Sequence, residues 1–229
     1  GDTLHAKMLN LNGDVRDVFA IKKQGTIKHS PIANPWQPEP KEKAPNTKAA
    51  MRSSKAAPLP PVSRRIIDHG AQWRYLADGK NPAKQWTSLS FDDSSWQQGA
   101  AGFGYGDKDD QTVLSAMKDK YRSVYIRRSF QISSDMNPKK IGLAISYDDA
   151  FIAYINGKEI VRVGVDSSSG KEAKGFHSHE ADKNFEFFPL NEKAIGTLRQ
   201  GANILAIEGH NVKLGSSDFT LHPALLLTK

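Results

Sequence analysis

The chain has 229 residues, no cysteine and a formal net charge of +7, so it can form a sizeable core but no disulfide or thiolate metal site. The positive excess lies in residues 1–65, with 12 Lys or Arg against 5 Asp or Glu, whereas residues 66–229 carry 20 of each; the sequence therefore predicts no nucleic-acid partner. No run of about 18 apolar residues occurs, which predicts that no segment spans a membrane.

The first predicted element is a β-hairpin within residues 1–24. Alternating apolar residues lead to Asn12-Gly13, and the chain returns through Val18 and Phe19. Asn-Gly favours a tight two-residue turn because both positions need φ > 0. A two-stranded hairpin is marginal alone in water, so we expect it to pack on the following domain or on a domain upstream of this sequence.

Residues 25–63 are predicted to be an extended linker. This stretch holds eight of the 12 prolines, together with many Lys, Ala and Ser residues. Proline lacks a backbone donor and has a fixed φ, which is unfavourable in helices and in central strands. Trp36 stands out in this polar stretch. We expect it to dock onto a neighbouring domain, because burying an indole removes a large apolar area from water.

Residues 64–229 are predicted to form an all-β sandwich or jelly roll. The clearest signal is residues 151–155, which run into Asn156-Gly157 and are followed by a second β-rich segment. Because residues 151–155 are apolar on both faces, we expect this strand to lie between two layers. The predicted strands are 72–76, 123–132, 140–147, 151–155, 158–163, 184–189, 203–210 and 219–227, and the predicted short helices are 113–118 and 192–198.

Six short motifs between residues 66 and 228 carry a family resemblance. In chain order they are Trp73-Arg-Tyr75, Trp86 followed by Phe91-Asp-Asp-Ser-Ser-Trp96, Gly102-Phe-Gly-Tyr-Gly-Asp107, Tyr125-Ile-Arg-Arg-Ser-Phe130, Tyr147-Asp-Asp149 with Tyr154-Ile-Asn-Gly-Lys158, and Gly201-Ala-Asn-Ile-Leu-Ala-Ile-Glu208 with His210-Asn211. Together they resemble the galactose-binding-domain-like β-sandwich, the jelly roll of carbohydrate-binding modules and of the sugar-binding domain of family 2 glycoside hydrolases. The resemblance implies a secreted or periplasmic, non-catalytic accessory module with carbohydrate as its partner. The same fold also hosts purely structural modules, so the ligand stays open.

The N-terminal hairpin carries a second resemblance. Gly1-Asp-Thr-Leu-His-Ala-Lys-Met8, followed by Asn12-Gly13 and Val18-Phe19, resembles the closing hairpin of calcineurin-like metallophosphoesterases. The resemblance implies an upstream catalytic domain in the same polypeptide, which would belong to a larger secreted enzyme. The metal-binding motifs of that family are not in this sequence. The alternative function is therefore a structural or docking domain of such an enzyme, with no ligand of its own.

The predicted ligand end consists of two long polar loops, residues 102–122 and 164–184. Loops of this length are uncommon in compact domains and tend to be functional. The side chains expected to bind the ligand are Tyr105, Asp107, His177, His179, His210 and Asn211.

Metal binding is predicted at the acidic part of the first loop. Asp107, Asp109 and Asp110 offer hard oxygen ligands at short spacing, which suits Ca²⁺, although a solvated acidic turn is the favoured interpretation. His177 and His179 have the spacing of a transition-metal pair, but a surface pair without further ligands is favoured.

The remaining candidates concern the aromatic residues and catalysis. Trp73, Trp86 and Trp96 are candidates for a sugar-stacking platform, although core anchors are the favoured interpretation. The sequence contains neither a Gly-x-Ser-x-Gly motif nor a phosphate-binding loop. This chain alone is therefore predicted not to be an enzyme, which leaves open that the parent protein is a hydrolase.

Overall fold

The computed structural model describes residues 3–9, 15–22, 58–167, 173–181 and 184–229. The chain divides into two compact units, Gly1–Ala50 and Met51–Lys229. In the first unit, β1 (Thr3–Leu9) pairs antiparallel with β2 (Val15–Lys22), which is the hairpin predicted from the sequence. The predicted Asn12-Gly13 turn, most of the predicted linker and Trp36 lie outside the described residues.

The second unit is built almost entirely of β-strands. In chain order they are β3 (Val62–Ile67), β4 (Gln72–Leu76), β5 (Gln97–Ala100), β6 (Phe103–Tyr105), β7 (Thr112–Val113), β8 (Ser123–Ile132), β9 (Ile141–Asp148), β10 (Ala150–Ile155), β11 (Lys158–Val163), β12 (Val165–Ser167), β13 (Lys174–Phe176), β14 (Glu186–Pro189), β15 (Gly201–His210) and β16 (Phe219–Thr228). A 3₁₀ turn (Pro138–Lys140) and a short helix α1 (Glu192–Ile195) complete the described elements.

The strands form two sheets that pack face to face. The first sheet has the order β11-β10-β15-β8-β4-β5, with all neighbours antiparallel. The second has the order β14-β9-β16-β6-β7, and β3 also pairs with β16. Strands β12 and β13 form a separate small pair. The predicted all-β jelly-roll sandwich is confirmed.

The main core lies between the two sheets and follows the alternation of each strand. In β8, Val124, Ile126 and Phe130 face this core, whereas Tyr125 belongs to a second apolar cluster on the opposite face of the sheet. Successive strand residues point to opposite faces, so one strand contributes to both layers. Trp73, at 1% exposure, is among the largest buried side chains of the main core.

Strand β10 is buried on both faces, as predicted. Phe151, Ala153 and Ile155 face the main core, whereas Ile152 packs with apolar residues of the β12–β13 region. The turn that follows has φ of +50° at Asn156 and +84° at Gly157, which confirms the predicted tight Asn-Gly turn.

Two parts of the prediction differ from the structure. Strands β3, β5, β6, β7, β12 and β13 were not predicted, and the helix expected at 113–118 is wrong. The backbone N–H groups of Thr112 and Leu114 donate to the carbonyls of Gly102 and Gly104, so this segment extends a sheet edge instead. Leu114 and Met117 are apolar residues three positions apart, which is a spacing typical of a helix. In the structure both are buried, and a single tight turn joins them.

The polar loops lie at one end of the sandwich, and we call it the loop end. It is the end at which β6, β9 and β15 finish and β8, β10 and β16 begin. Antiparallel pairing fixes this arrangement, since Ser123 lies opposite His210 and Thr220 lies opposite Asp148. Among the described residues, no helix has the length and apolar character needed to cross a membrane.

Candidate functional site

Three carboxylates from separate segments converge at the loop end. Asp148 is the last residue of β9, Asp218 directly precedes β16, and Glu180 comes from the segment after β13. One oxygen of each lies within 4.8 Å of the others. We call Asp148, Glu180 and Asp218 the carboxylate cluster. It exists because the β9–β16 pairing brings two strand ends together and the third segment folds over them.

Asp148 is the buried member of the carboxylate cluster, with 4% of its surface exposed. Burial raises its pKa to about 8, and the nearby carboxylates of Asp149, Asp218 and Glu180 act in the same direction. Asp149 has a different role, since its carboxylate accepts hydrogen bonds from the backbone N–H groups of His179 (3.1 Å) and Val212 (2.7 Å). It thereby ties two loops to the start of β10.

The sequence-predicted metal residues do not come together as a set. Among the described residues, the three carboxylates whose oxygens converge are those of the carboxylate cluster, and Asp107, Asp109 and Asp110 are not such a group. Asp107 is exposed beside the cluster; partial burial raises its pKa, as do the charges of Asp218, Asp109 and Glu180.

Asp110 lies over Gly104 of β6. Its Oδ2 atom is buried without a hydrogen-bond partner. Burial raises the pKa of this carboxyl to about 7, and the charges of Asp109 and Asp107 act in the same direction. Local spacing therefore predicted acidic residues at the loop end, but their oxygens do not converge as those of the carboxylate cluster do.

The two predicted histidines face different partners. His177 is exposed, with Nε2 at 2.9 Å from the Asp166 carboxylate. His179 stacks on Tyr147 with ring centroids 4.1 Å apart, and its Nε2 lies 2.6 Å from Glu186. Each ring is held by a separate carboxylate, so the structure gives no support to a shared metal at this pair.

Tyr105, His210 and Asn211 lie beneath the surface of the loop end. Asn211 is 1% exposed, and its Nδ2 donates to the Tyr105 hydroxyl (3.2 Å) and to the Asp218 carbonyl (2.9 Å). His210 is fully buried with Nδ1 at 2.9 Å from the Ser123 hydroxyl, and burial lowers its pKa to about 3. A ligand at the surface would not reach these side chains, which anchor the loop between β15 and β16.

A concave cleft at the loop end was missed by the sequence analysis. Its volume is about 190 Å³, and it is lined by Gly79, Lys80, Lys120, Tyr121, Arg122, Ser123, Tyr125 and Leu214. The feature of the sequence that could have indicated this cleft is Lys120-Tyr121-Arg122, which directly precedes β8. The Tyr121 hydroxyl donates to the Ala77 carbonyl (2.6 Å), and Arg122 donates to the Val212 carbonyl (3.3 Å), so both walls are fixed.

The tryptophans are core residues, as favoured from the sequence. Trp86 and Trp96 are 8% and 7% exposed and stack with centroids 6.1 Å apart. They cover the outer face of the first sheet together with Tyr125, so they offer no open platform to a sugar ring.

Comparisons with known proteins give only distant similarities. No family model and no curated protein matches this chain. Among solved structures, a β-glucuronidase from glycoside hydrolase family 2 shares 21% identity over 67% of this chain and 15% of its own, with a TM-score of 0.39. The Bifidobacterium dentium β-glucuronidase shares 20% over 66% of this chain and 21% of its own, with a TM-score of 0.42. The Ruminococcus gnavus β-glucuronidase shares 13% over 76% of this chain and 31% of its own, with a TM-score of 0.46. This chain therefore spans less than a third of each of these three enzymes, and the fold assignment rests on the strand pairings described above.

Proposed function

We propose that the second unit is a non-catalytic carbohydrate-binding module whose ligand occupies the cleft at the loop end. The observation that supports this proposal is the concave surface itself, where the half-buried Tyr121 stands beside the cations Lys80, Lys120 and Arg122. Tyr125 also lines the cleft, but at 1% exposure its ring offers no face to a sugar. Tyrosine rings stack on sugar rings, and ammonium, guanidinium and hydroxyl groups donate hydrogen bonds to sugar oxygens. The predominance of cations favours glycans that carry carboxylate or sulfate groups.

A binding role fits the carboxylate cluster better than a hydrolytic one. Glycosidases place two carboxyl groups on either side of the scissile bond, roughly 5 Å or more apart. Here Asp148 is 4% exposed, so a sugar cannot pass between it and its two partners. The cluster is therefore not proposed as a catalytic pair.

The wider context is also a proposal. We infer that the module serves as an accessory domain of a larger secreted or periplasmic enzyme, with a catalytic domain upstream in the same polypeptide. The second candidate is a docking domain of a metallophosphoesterase without a ligand of its own. It is favoured by the internal hydrogen bonds of Tyr121 and Arg122, which show that the cleft walls also serve the fold.

Affinity electrophoresis in gels that contain polygalacturonate, heparin or a neutral glucan tests the proposal. We expect retardation in an acidic polysaccharide, and loss of most of it in Lys120→Ala. The matched control is Lys139→Ala, which removes an exposed lysine beside the start of β9, away from the loop end. Equal loss in both variants would indicate unspecific charge attraction, and absence of retardation in every gel would favour the docking domain.

A further inference from the structure

We propose that Asp148, Glu180 and Asp218 form a calcium site, with the Thr220 hydroxyl as a further oxygen ligand. The proposal does not depend on glycan binding, because it concerns the carboxylate cluster and not the cleft. The ligands differ from the run of aspartates predicted from the sequence, and they come from three segments distant in the chain.

The first argument is the convergence of the three carboxylates. Their oxygens lie within 4.8 Å of one another although one of them, Asp148, is almost fully buried. Like charges at this spacing repel strongly when water is excluded. A divalent cation between them would replace this repulsion by attraction.

The second argument is independent of the acidic residues and comes from Thr220. This residue is 6% exposed, and its Oγ1 has no hydrogen-bond partner. Leaving a buried hydroxyl without a hydrogen-bond partner destabilises the folded state, so this group indicates a missing ligand.

Strand pairing directs Thr220 toward the carboxylate cluster. Thr220 lies opposite Asp148 on the neighbouring strand, so both side chains leave the sheet on the same face. Its other cross-strand neighbour is Gly104, which has no side chain and is covered by the Asp110 carboxylate. The unpartnered hydroxyl therefore has carboxylates on both sides, and a cation bound by Asp148 would be within its reach.

The donor set selects the kind of cation. All four ligands are oxygens, with neither imidazole nor sulfur among them, which suits a hard cation rather than zinc or copper. Ca²⁺ accepts six to eight oxygens in irregular geometry, whereas Mg²⁺ demands a near-ideal octahedron. The four ligands come from the ends of two strands and from two loops, an irregular arrangement that suits Ca²⁺, with water completing the coordination shell.

Thermal unfolding of the full chain with CaCl₂, MgCl₂ or EDTA tests the site. We expect millimolar Ca²⁺ to raise the melting temperature by several degrees, since a ligand of the native state stabilises it, and Mg²⁺ to do so less. Asp218→Asn and Glu180→Gln should each abolish most of the shift. Glu192→Gln, an exposed residue of α1 with the same chemical change as the second variant, should keep it.

Three results would overturn the proposal. They are the absence of a calcium shift in the unaltered protein, a full shift in Asp218→Asn, and loss of the shift in Asp109→Asn alone. Loss of the shift in Asp109→Asn would instead support a metal site at Asp107, Asp109 and Asp110, as predicted from the sequence. Asp218 is preferred to Asp148 for the main variant because it is only half-buried and its loss should not prevent folding.

Discussion

Asp148 combines burial with three acidic neighbours, and its protonation should govern how stability depends on pH. Burial and the neighbouring carboxylates raise the pKa of Asp148 to about 8 in the folded state, whereas in the unfolded chain the carboxyl has its ordinary pKa of 3.8. Between these values the unfolded state binds fewer protons, so the free energy of unfolding falls as pH rises.

Asp148→Asn should remove this part of the pH dependence. The amide mimics the protonated acid, so the variant should gain stability relative to the unaltered protein by up to about 1.4 kcal/mol per pH unit between pH 5 and pH 8. Urea unfolding in EDTA at several pH values measures the difference. A constant difference would mean that Asp148 is already ionised in the folded protein.

The carboxylate cluster shows how much of a site local sequence can reveal. Asp107, Asp109 and Asp110 were conspicuous because they are neighbours in the chain, whereas Asp148 resembled an ordinary turn residue and Asp218 stood alone. Their proximity arises from the β9–β16 register, which pairs residues far apart in sequence. The polar end of the sandwich was therefore predictable, but the residues that meet there were not.

Arg127 links strand β8 to the loop that precedes β5. It is 1% exposed, and its guanidinium donates to the carbonyls of Ser88 (2.8 Å) and Phe91 (3.2 Å) and to the Asp93 carboxylate (2.6 Å). Arg127→Ala removes all three hydrogen bonds, although Arg74 stays 3.9 Å from Asp93 and the Phe91 N–H still donates to the Ser88 carbonyl. The variant should cost about 3 kcal/mol in urea unfolding.

Arg64→Ala is the matched control for that variant. Arg64 pairs with Asp135 at the surface, where the side chains are 47% and 62% exposed, so its loss should cost less than about 1 kcal/mol. Arg127→Lys should not rescue the loop, because one ammonium cannot reach three acceptors in a fixed fork. Equal costs for the two alanine variants would contradict the anchoring role.

A second prediction at the level of the strands concerns the stability effect of a side chain at Gly104 in β6. A methyl group at this position would overlap the carbonyl oxygen of Phe219 on β16 and the Asp110 carboxylate. Gly104→Ala should therefore destabilise the protein by about 3 kcal/mol. Gly70→Ala is the control, since no heavy atom lies within 4 Å of its added methyl, and it should change the melting temperature little.

The glycines also explain which strands the sequence analysis missed. The β8, β10 and β15 segments carry alternating or continuous apolar residues and were predicted within two residues of their bounds. The β5–β6 region reads as a loop because Gly99, Gly102 and Gly104 dominate it. Gly99 and Gly104 are needed because Thr112 and Phe219 approach the backbone closely, which only the tertiary structure shows.

At the scale of the whole molecule, the second unit has its own core between two sheets and should survive removal of the preceding residues. The composition of residues 25–63 predicts cleavage there first in limited trypsin digestion, at Lys41, Lys43, Lys48 or Lys55. The remaining product should keep a β-type circular dichroism spectrum and its melting temperature. Intact lysines under native conditions would show that this stretch is ordered, and loss of the spectrum after cleavage would show that the sandwich depends on it.

Strand β16 pairs with β9 on one side and with β6 and β3 on the other, so it holds the second sheet together. All three partners precede it in the chain and leave the ribosome earlier. Until residues 219–228 are translated, these strands have no central neighbour, and their edges stay open to other nascent chains. Folding of this sheet is therefore expected to wait until β16 has left the ribosome, and a ribosome that stalls before β16 would release a product prone to aggregate.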